Sequence, residues 1–161
     1  MDLATFNTLA PDAAVDVLRP CADVPGWLAD VVGGRPYDGV GSLLTFAEAA
    51  AAAWGPAEID GALAHHPRIG ERPATTGSEA ALSTAEQSGI SGDEDALAEG
   101  NRTYEQTFGR IFLVRAAGRT SAEILEQLTL RLDNDPVTED AVVAGQLREI
   151  ALLRLEGMFA S

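Results

Sequence analysis

Two adjacent histidines, His65 and His66, are the only histidines in the sequence, and Pro67 follows them directly. Proline disfavours helical geometry in the residue before it, so His66 should leave the preceding helical stretch and project from a bend. Histidine is well suited to proton transfer near neutral pH, and an imidazole in such a bend could act as an acid or a base. The alternative is that both histidines are surface groups at a helix end, where the helix dipole stabilises them.

A candidate carboxylate partner lies in the next helical stretch. Ser83, Glu86 and Gln87 occur at positions i, i+3 and i+4, which places all three on one face of a helix. If this face meets His66, the carboxylate would orient the imidazole ring and favour its protonated form, and the pair would be a general acid. The alternative is a polar face that contacts only solvent.

An arginine interrupts an apolar stripe in the last predicted helix. The stripe consists of Val143, Leu147, Ile150 and Arg154. Arg154 therefore points where apolar residues point. A buried guanidinium is costly unless it is paired, so it either bridges to a carboxylate in the core or faces a pocket that contains an anion.

Two further segments could bring polar groups to a site. Residues 111–116 are apolar and irregular, and such a segment either leaves backbone N–H groups free for the oxygens of a ligand or serves as a buried connector. The preceding helical stretch carries one stripe, formed by Leu97, Asn101, Tyr104 and Phe108. We interpret this stripe as core, with a buried amide and a buried phenol that need hydrogen-bond partners.

The sequence predicts mainly helices, because alanine and leucine recur at spacings of three and four while alternating β-branched stretches are scarce. Helices must therefore position the residues named above. Breaks rich in glycine and proline separate the helical stretches, at residues 20–26, 33–41, 67–77, 89–92 and 134–136 and at Gly109 and Gly118. Ser91 with Glu94 and Thr120 with Glu123 have capping-box spacing, which predicts helices over about 93–108 and 121–132. Thr138 is the expected cap of the last helix. We predict a compact, all-α single domain over residues 1–161, with about eight helices.

Charge and cysteine content limit the classes of partner. The 161 residues carry a formal net charge of -14, which repels nucleic acid and anionic membrane surfaces and leaves any anion site dependent on local donors or an arginine. Cys21 is the only cysteine, so an intramolecular disulfide framework is excluded and a reducing compartment is favoured. No apolar stretch is long enough for a signal peptide or a bilayer span, and we expect a cytoplasmic protein.

Short tags distributed over nearly the whole chain carry a family resemblance. They are Phe6-Asn7-Thr8-Leu9, residues 21–27, Arg35-Pro36-Tyr37, His66-Pro67-Arg68-Ile69-Gly70-Glu71, Leu82-Ser83-Thr84-Ala85-Glu86-Gln87, Asn101-Arg102-Thr103-Tyr104, Phe108-Gly109 and Leu153-Arg154-Leu155. In their order and spacing they resemble the 2-oxo-4-hydroxy-4-carboxy-5-ureidoimidazoline (OHCU) decarboxylases. One segment departs from that family, because residues 108–113 lack the proline that usually follows the Phe-Gly pair.

The resemblance implies an all-helical homodimer that catalyses the last step from urate to (S)-allantoin without a cofactor or a metal. It implies that His66 is the catalytic histidine, in contrast to His65, and that Glu86 is the acid that accompanies it. The substrate contacts implied by the family are Pro67, Ser83, Thr84, Ala85, Glu86, Gln87, Phe112, Leu113, Val114, Arg115, Ala116 and Arg154. Of the two alternatives for Arg154, the resemblance favours a pocket that contains an anion.

Decarboxylation fits a protein without cofactor motifs. The carboxyl group of this substrate is attached beside a conjugated, electron-withdrawing ring, which can hold the released electrons as an enol-like species. The protein then needs only to orient the carboxylate and deliver a proton to one face, which sets the handedness of the product.

Two rival functions remain. One is a metal-dependent ureide or amide hydrolase, which a chelator would inactivate, and the other is a non-catalytic acidic interaction module with a large exposed apolar patch.

Overall fold

A computed structural model describes residues 1–71 and 76–160. Within these ranges the chain forms nine α-helices and no strand, so the predicted all-α fold is confirmed. The helices are α1 (Leu3–Thr8), α2 (Pro11–Leu18), α3 (Pro25–Gly33), α4 (Val40–Ala51), α5 (Pro56–Leu63), α6 (Ser78–Glu86), α7 (Glu94–Phe108), α8 (Ser121–Leu132) and α9 (Pro136–Phe159). None of the helices described is both long enough and apolar enough to cross a membrane. Residues 72–75 of the predicted break at 67–77 lie outside the described residues.

The predicted breaks leave eight stretches, of which residues 110–117 form no helix and two others are each divided by a proline, which gives the nine helices described. Pro11 and Pro56 each occupy the first turn of a helix, α2 and α5. Proline has no backbone N–H to donate and a φ angle already suited to a helix, so it begins a new helix more readily than it continues an old one. Each proline therefore divides a stretch that the sequence pattern presents as continuous.

The described residues form two compact units. The first comprises Met1–His65 together with the C-terminal part of α9 from Arg148 onward, and the second comprises His66–Leu147. The prediction that residues 1–161 form one domain stays a prediction.

Aromatic residues form much of the core of the first unit. The rings of Trp27 and Trp54 meet edge to face with centroids 5.9 Å apart, and Trp27 Nε1 donates to the carbonyl of Ala47 at 2.9 Å. The rings of Phe6 and Phe159 pack in the same way at 5.2 Å. Such pairs stabilise a fold beyond the area they bury, so these contacts hold the N-terminal helices and the end of α9 together.

Arg35 has a structural position in the first unit. Its Nη1 donates to the carbonyls of Phe6 at 2.6 Å and Leu9 at 3.0 Å, and its Nε donates to the carbonyl of Val32 at 2.9 Å. Because the last carbonyls of a helix have no partner within that helix, one guanidinium here satisfies acceptors near the ends of both α1 and α3.

The second unit has a core of eight buried side chains drawn from α7, α8 and two connecting segments. They are Ile69, Leu97, Tyr104, Phe112, Val114, Ala116, Ile124 and Leu128. The predicted core stripe of α7 is confirmed, because its first three members are buried and Phe108 packs against this cluster half-buried.

The capping predictions had mixed outcomes. The Thr120 capping box is confirmed: Glu123 N donates to Thr120 Oγ1 at 3.3 Å, and Thr120 N donates to the Glu123 carboxylate at 2.7 Å. The Ser91 capping box is wrong, because Gly92 and Asp93 both have positive φ angles, 78° and 59°, and α7 begins only after them. Two consecutive left-handed residues cannot form the first turn of a right-handed helix.

Asp135 caps α9, and the prediction that Thr138 does so is wrong. The backbone N–H groups of Val137 and Thr138 both donate to Asp135 Oδ1 at 3.0 Å, and the Thr138 hydroxyl donates to Oδ2 at 2.6 Å. Hydrogen bonds from the Thr138 side chain and then its backbone lower the pKa of Asp135. A carboxylate with two oxygens can accept all three bonds, which a single hydroxyl cannot do.

Candidate active site

The two histidines have different surroundings. Helix α5 ends at Leu63, so both histidines lie outside it, and His66 lies in a bend, as expected of the residue before Pro67. His66 is half-buried, whereas His65 is exposed, with its Nε2 3.7 Å from Asp23 Oδ2 in the first unit. His65 is the last residue of the N-terminal segment of the first unit, and His66 is the first residue of the second unit.

Residues 66–71, which we call the histidine loop, contain a tight turn. Glu71 N donates to the carbonyl of Arg68 at 3.0 Å, and Gly70 has a φ of 85°. A turn with a positive φ at its third position favours glycine, because a side chain would be strained there. The Pro67 and Gly70 positions therefore restrict the backbone at both ends of the loop.

Side chains from α6 and α7 hold three consecutive residues of the histidine loop. Gly70 N donates to Gln87 Oε1 at 2.9 Å, at the C-terminal cap of α6. From α7, Asn101 Nδ2 donates to the carbonyl of Ile69 at 2.9 Å. Glu105, one turn further along α7, accepts through its carboxylate from Arg68 Nε at 2.7 Å. The loop that follows His66 is thus attached to both helices.

The α6 face predicted to meet the histidine is not a face that contacts only solvent. Ser83 is buried, with 3% of its surface exposed, and Glu86 and Gln87 are half-buried. Thr84 and Ala85 are exposed, and the Thr84 hydroxyl donates to the carbonyl of Ala80 within the helix. The bond from Gly70 to Gln87 brings this end of α6 against the histidine loop.

The segment between α7 and α8 is a buried connector. Phe112, Leu113, Val114 and Ala116 are buried, and Arg115 is half-buried. The backbone N–H of Arg115 donates to Gln146 Oε1 at 2.8 Å, so this donor is not available to a ligand in the structure. The expectation of free backbone donors therefore does not hold at Arg115.

An ion pair attaches to α9 the part of this connector in which the proline expected from the family resemblance is missing. Gly109 ends α7 in the left-handed conformation, with a φ of 72°, and Arg110 next to it forms an ion pair with Asp140 of α9. This ion pair attaches the start of the connector to the first turns of α9.

A buried ion pair, which the sequence interpretation missed, holds the connector from the other side. Glu139 is completely buried, and its Oε1 accepts from Arg131 Nη2 at 2.5 Å, Arg131 Nε at 2.8 Å and the Tyr104 hydroxyl at 2.5 Å. Arg131 Nη1 donates to the carbonyl of Leu113 at 2.7 Å. Burial, followed by the bond to Glu139, raises the pKa of Tyr104 to about 12.

A sequence signal for Arg131 was present. Ile124, Leu128 and Arg131 occupy one stripe of α8, so an arginine again stands where apolar residues point. The same reasoning that singled out Arg154 in α9 therefore applies to Arg131. Applied there, it would have predicted a buried acidic partner.

Arg154 is buried in α9, as predicted, with 4% of its surface exposed. Its Nη1 donates to the carbonyl of Pro20 at 3.0 Å in the first unit. The remaining predicted substrate contacts, from Pro67 to Ala116, belong to the second unit.

Solved structures of similar fold are enzymes that make allantoin or were crystallised with it. A crystal structure of OHCU decarboxylase in the presence of (S)-allantoin matches with a TM-score of 0.75 and 25% sequence identity, covering 91% of this chain and 99% of that one. A crystal structure of (S)-allantoin synthase matches with a TM-score of 0.69 and 16% identity, covering 98% of this chain and 54% of that one. The second match shows the fold alone.

Sequence comparison agrees with the fold. The uric acid degradation bifunctional protein TTL of Arabidopsis thaliana is 36% identical over 106 residues, which are 62% of this chain. The chain spans about a third of the length of that relative. A sequence model of the OHCU decarboxylase family matches residues 7–156. The chain therefore belongs to the OHCU decarboxylase family, which is a family of carboxy-lyases in urate degradation.

Proposed function

We propose that this chain decarboxylates OHCU to (S)-allantoin without a cofactor, with His66 as the proton donor. The observation that carries the proposal is the histidine loop itself: in a chain matched to this family over residues 7–156, a half-buried histidine precedes a backbone turn that two helices hold in place. A proton donor that must act on one face of a substrate needs a defined position, and this loop supplies one.

The proposed chemistry has two steps. The bond between the ring carbon and the carboxylate breaks, carbon dioxide leaves, and the electron pair enters the conjugated ring as an enol-like species. His66 in its protonated form then gives a proton to one face of the ring carbon that bears the ureido group. Delivery from one side yields a single enantiomer, whereas protonation by water from either side yields both.

Glu86 is the proposed companion of His66. It is half-buried in the last turn of α6, next to Gln87, which accepts from the histidine loop at 2.9 Å. A carboxylate next to an imidazole favours the protonated ring and limits its rotation. We therefore assign to Glu86 the orientation and the charge state of the donor.

Polar groups elsewhere would hold the substrate. We assign the ureido, ring carbonyl and carboxylate groups to Ser83, Gln87, Arg154 and the backbone N–H groups of residues 112–116 other than that of Arg115, which donates to Gln146. The net charge of -14 repels an anionic substrate at long range. A buried guanidinium such as Arg154 supplies a local charge-assisted hydrogen bond that outweighs this repulsion.

We further propose that the enzyme acts as a homodimer in the cytoplasm. Light scattering of the purified protein tests whether it is a dimer.

The test of this function generates the unstable substrate in place. Urate is converted by the two upstream enzymes in the presence of this chain, and circular dichroism follows the allantoin that forms. We expect one enantiomer, (S)-allantoin, at a rate proportional to the concentration of the chain. A racemate formed at the rate of spontaneous decay would refute the proposal. Activity that a chelator removes and zinc restores would instead support the metal-dependent hydrolase.

Replacing Arg154 with methionine should weaken substrate binding. Methionine keeps an apolar stem of similar length but lacks the charged donors, so we expect KM to rise roughly 10- to 100-fold, the effect of one or two charge-assisted hydrogen bonds. Steady-state kinetics on the same coupled assay measure it. The matched control is Arg148→Met, because Arg148 lies on the same helix and its Nε donates to the carbonyl of Ala51 at 2.8 Å. An equal rise of KM in both variants would mean that Arg154 is structural.

A further inference from the structure

Three hydrogen bonds join consecutive residues of the histidine loop to two helices, and two of the three come from one helix face. Asn101 and Glu105 are four residues apart on α7, so they lie one turn above the other. They hold Ile69 and Arg68, while Gln87 holds Gly70. The loop therefore has little freedom to move relative to α7.

One of these bonds connects the loop to Gln87, the residue that follows the carboxylate of the proposed acid pair. Gln87 directly follows Glu86 in the chain and caps α6, and its side chain accepts from Gly70 N at 2.9 Å. A movement of the loop therefore changes the position of His66 relative to the end of α6. The bonds from Asn101 and Glu105 of α7 to Ile69 and Arg68 also resist such a movement.

Asn101 is the most buried of the three side chains. Only 4% of its surface is exposed, and its Oδ1 has no hydrogen-bond partner within residues 1–71 and 76–160. An unsatisfied buried acceptor destabilises a fold, so an apolar side chain would suit this position better if packing alone mattered. The contribution of the amide is its Nδ2 bond to the Ile69 carbonyl.

We propose that Asn101 is a positioning residue for His66, and that Glu105 supports it through Arg68. This inference rests on the proposed function, since it assigns to these residues the placement of the proton donor. Without the bond to Ile69, the loop can shift away from α7, and the imidazole then loses the position beside Glu86 that the proposed function requires. A displacement of about 1 Å in a reacting group lowers the rate by up to roughly 100-fold.

The principal test is Asn101→Ala. We expect kcat to fall roughly 10- to 100-fold while KM changes less than about 3-fold, because the groups that bind substrate stay in place and the donor does not. The enantiomeric excess of the allantoin should fall as well, because spontaneous protonation then competes with a slower donor. The matched control is Leu128→Ala, which opens the core of the same unit and should lower the melting temperature at least as much with kcat within about 2-fold of the unchanged chain.

A second pair of variants covers the case in which Asn101→Ala fails to fold. Glu105 is partly exposed, at 26% of its side chain, so its replacement should be tolerated. We expect Glu105→Ala to lower kcat roughly 2- to 5-fold, and Glu105→Gln, which keeps an oxygen within reach of Arg68, to recover most of the rate.

The outcomes separate the inference from the function on which it rests. If the unchanged chain makes (S)-allantoin but kcat and enantiomeric excess are the same in Asn101→Ala, or fall equally in Leu128→Ala, the positioning role is refuted. The same holds if Glu105→Ala and Glu105→Gln behave alike. If the unchanged chain yields only a racemate, the proposed function itself fails, whatever the variants do.

Discussion

Replacing His66 with alanine is expected to abolish the formation of (S)-allantoin while leaving the protein folded. A positioned general acid contributes about 100- to 10,000-fold to a rate, and alanine has no proton to give. With the donor gone, decarboxylation of the generated substrate should proceed at the spontaneous rate and give both enantiomers. Circular dichroism of the product and of the helices measures handedness and fold in the same sample.

His65→Ala is the matched control for this experiment. His65 is exposed, and its ring lies 3.7 Å from Asp23 in the first unit. An exposed contact of this kind contributes little to stability, so we expect rate and handedness to change less than about 2-fold. Normal turnover by the His66 variant, or an equal loss in both variants, would show that the second histidine is not the donor.

Replacing Glu139 with alanine is expected to lower the free energy of unfolding by about 3–5 kcal/mol, because it leaves the Arg131 guanidinium buried without its counter-charge. Glu139 is fully buried and accepts from Arg131 and from Tyr104. The loss should appear as a lower midpoint of denaturation with an unchanged dependence on denaturant concentration. Chemical denaturation followed by the helical signal measures it.

The neighbouring residue provides the control for this second prediction. Asp140, near the start of α9, pairs with Arg110 of the connector, but 64% of the Asp140 side chain is exposed. Water screens such a pair, so Asp140→Ala should lower the free energy of unfolding by only about 0–1 kcal/mol. If Glu139→Ala and Asp140→Ala had the same free energy of unfolding, the buried pair would not be what holds α8, α9 and the connector together. A larger loss at Asp140 would contradict the prediction as well.

Local rules predicted those features that depend on neighbours in the chain. The non-helical backbone of His66 agrees with the restriction that Pro67 places on the residue before it, and the helix that begins at Ser121 follows from the reciprocal bonds of Thr120 and Glu123. The buried stripes that contain Asn101 and Arg154 follow from a period of 3.6 residues. In each case the interacting groups are at most about one or two helical turns apart, so the order of the residues contains the information.

Where several residues competed for one role, local rules chose wrongly. Ser91 has the side chain and the spacing of a helix cap, but Gly92 and Asp93 adopt left-handed conformations and the Ser91 carbonyl accepts from Ser121 instead, at 3.1 Å. Thr138 could cap α9, but the carboxylate of Asp135 accepts more bonds. The preference between two suitable caps depends on contacts and backbone angles that a spacing rule does not contain.

By itself, the sequence determined the helical class, the family, the non-helical backbone of His66 and the arginine on an apolar face. Only the tertiary structure decided which helices hold the histidine loop, and that Glu139, which spacing places near a helix start, is the buried partner of Arg131 and Tyr104. The physical reason is distance along the chain. Asn101 and Ile69 are 32 residues apart and Tyr104 and Glu139 are 35 apart, and such pairs form only when packed helices bring them together.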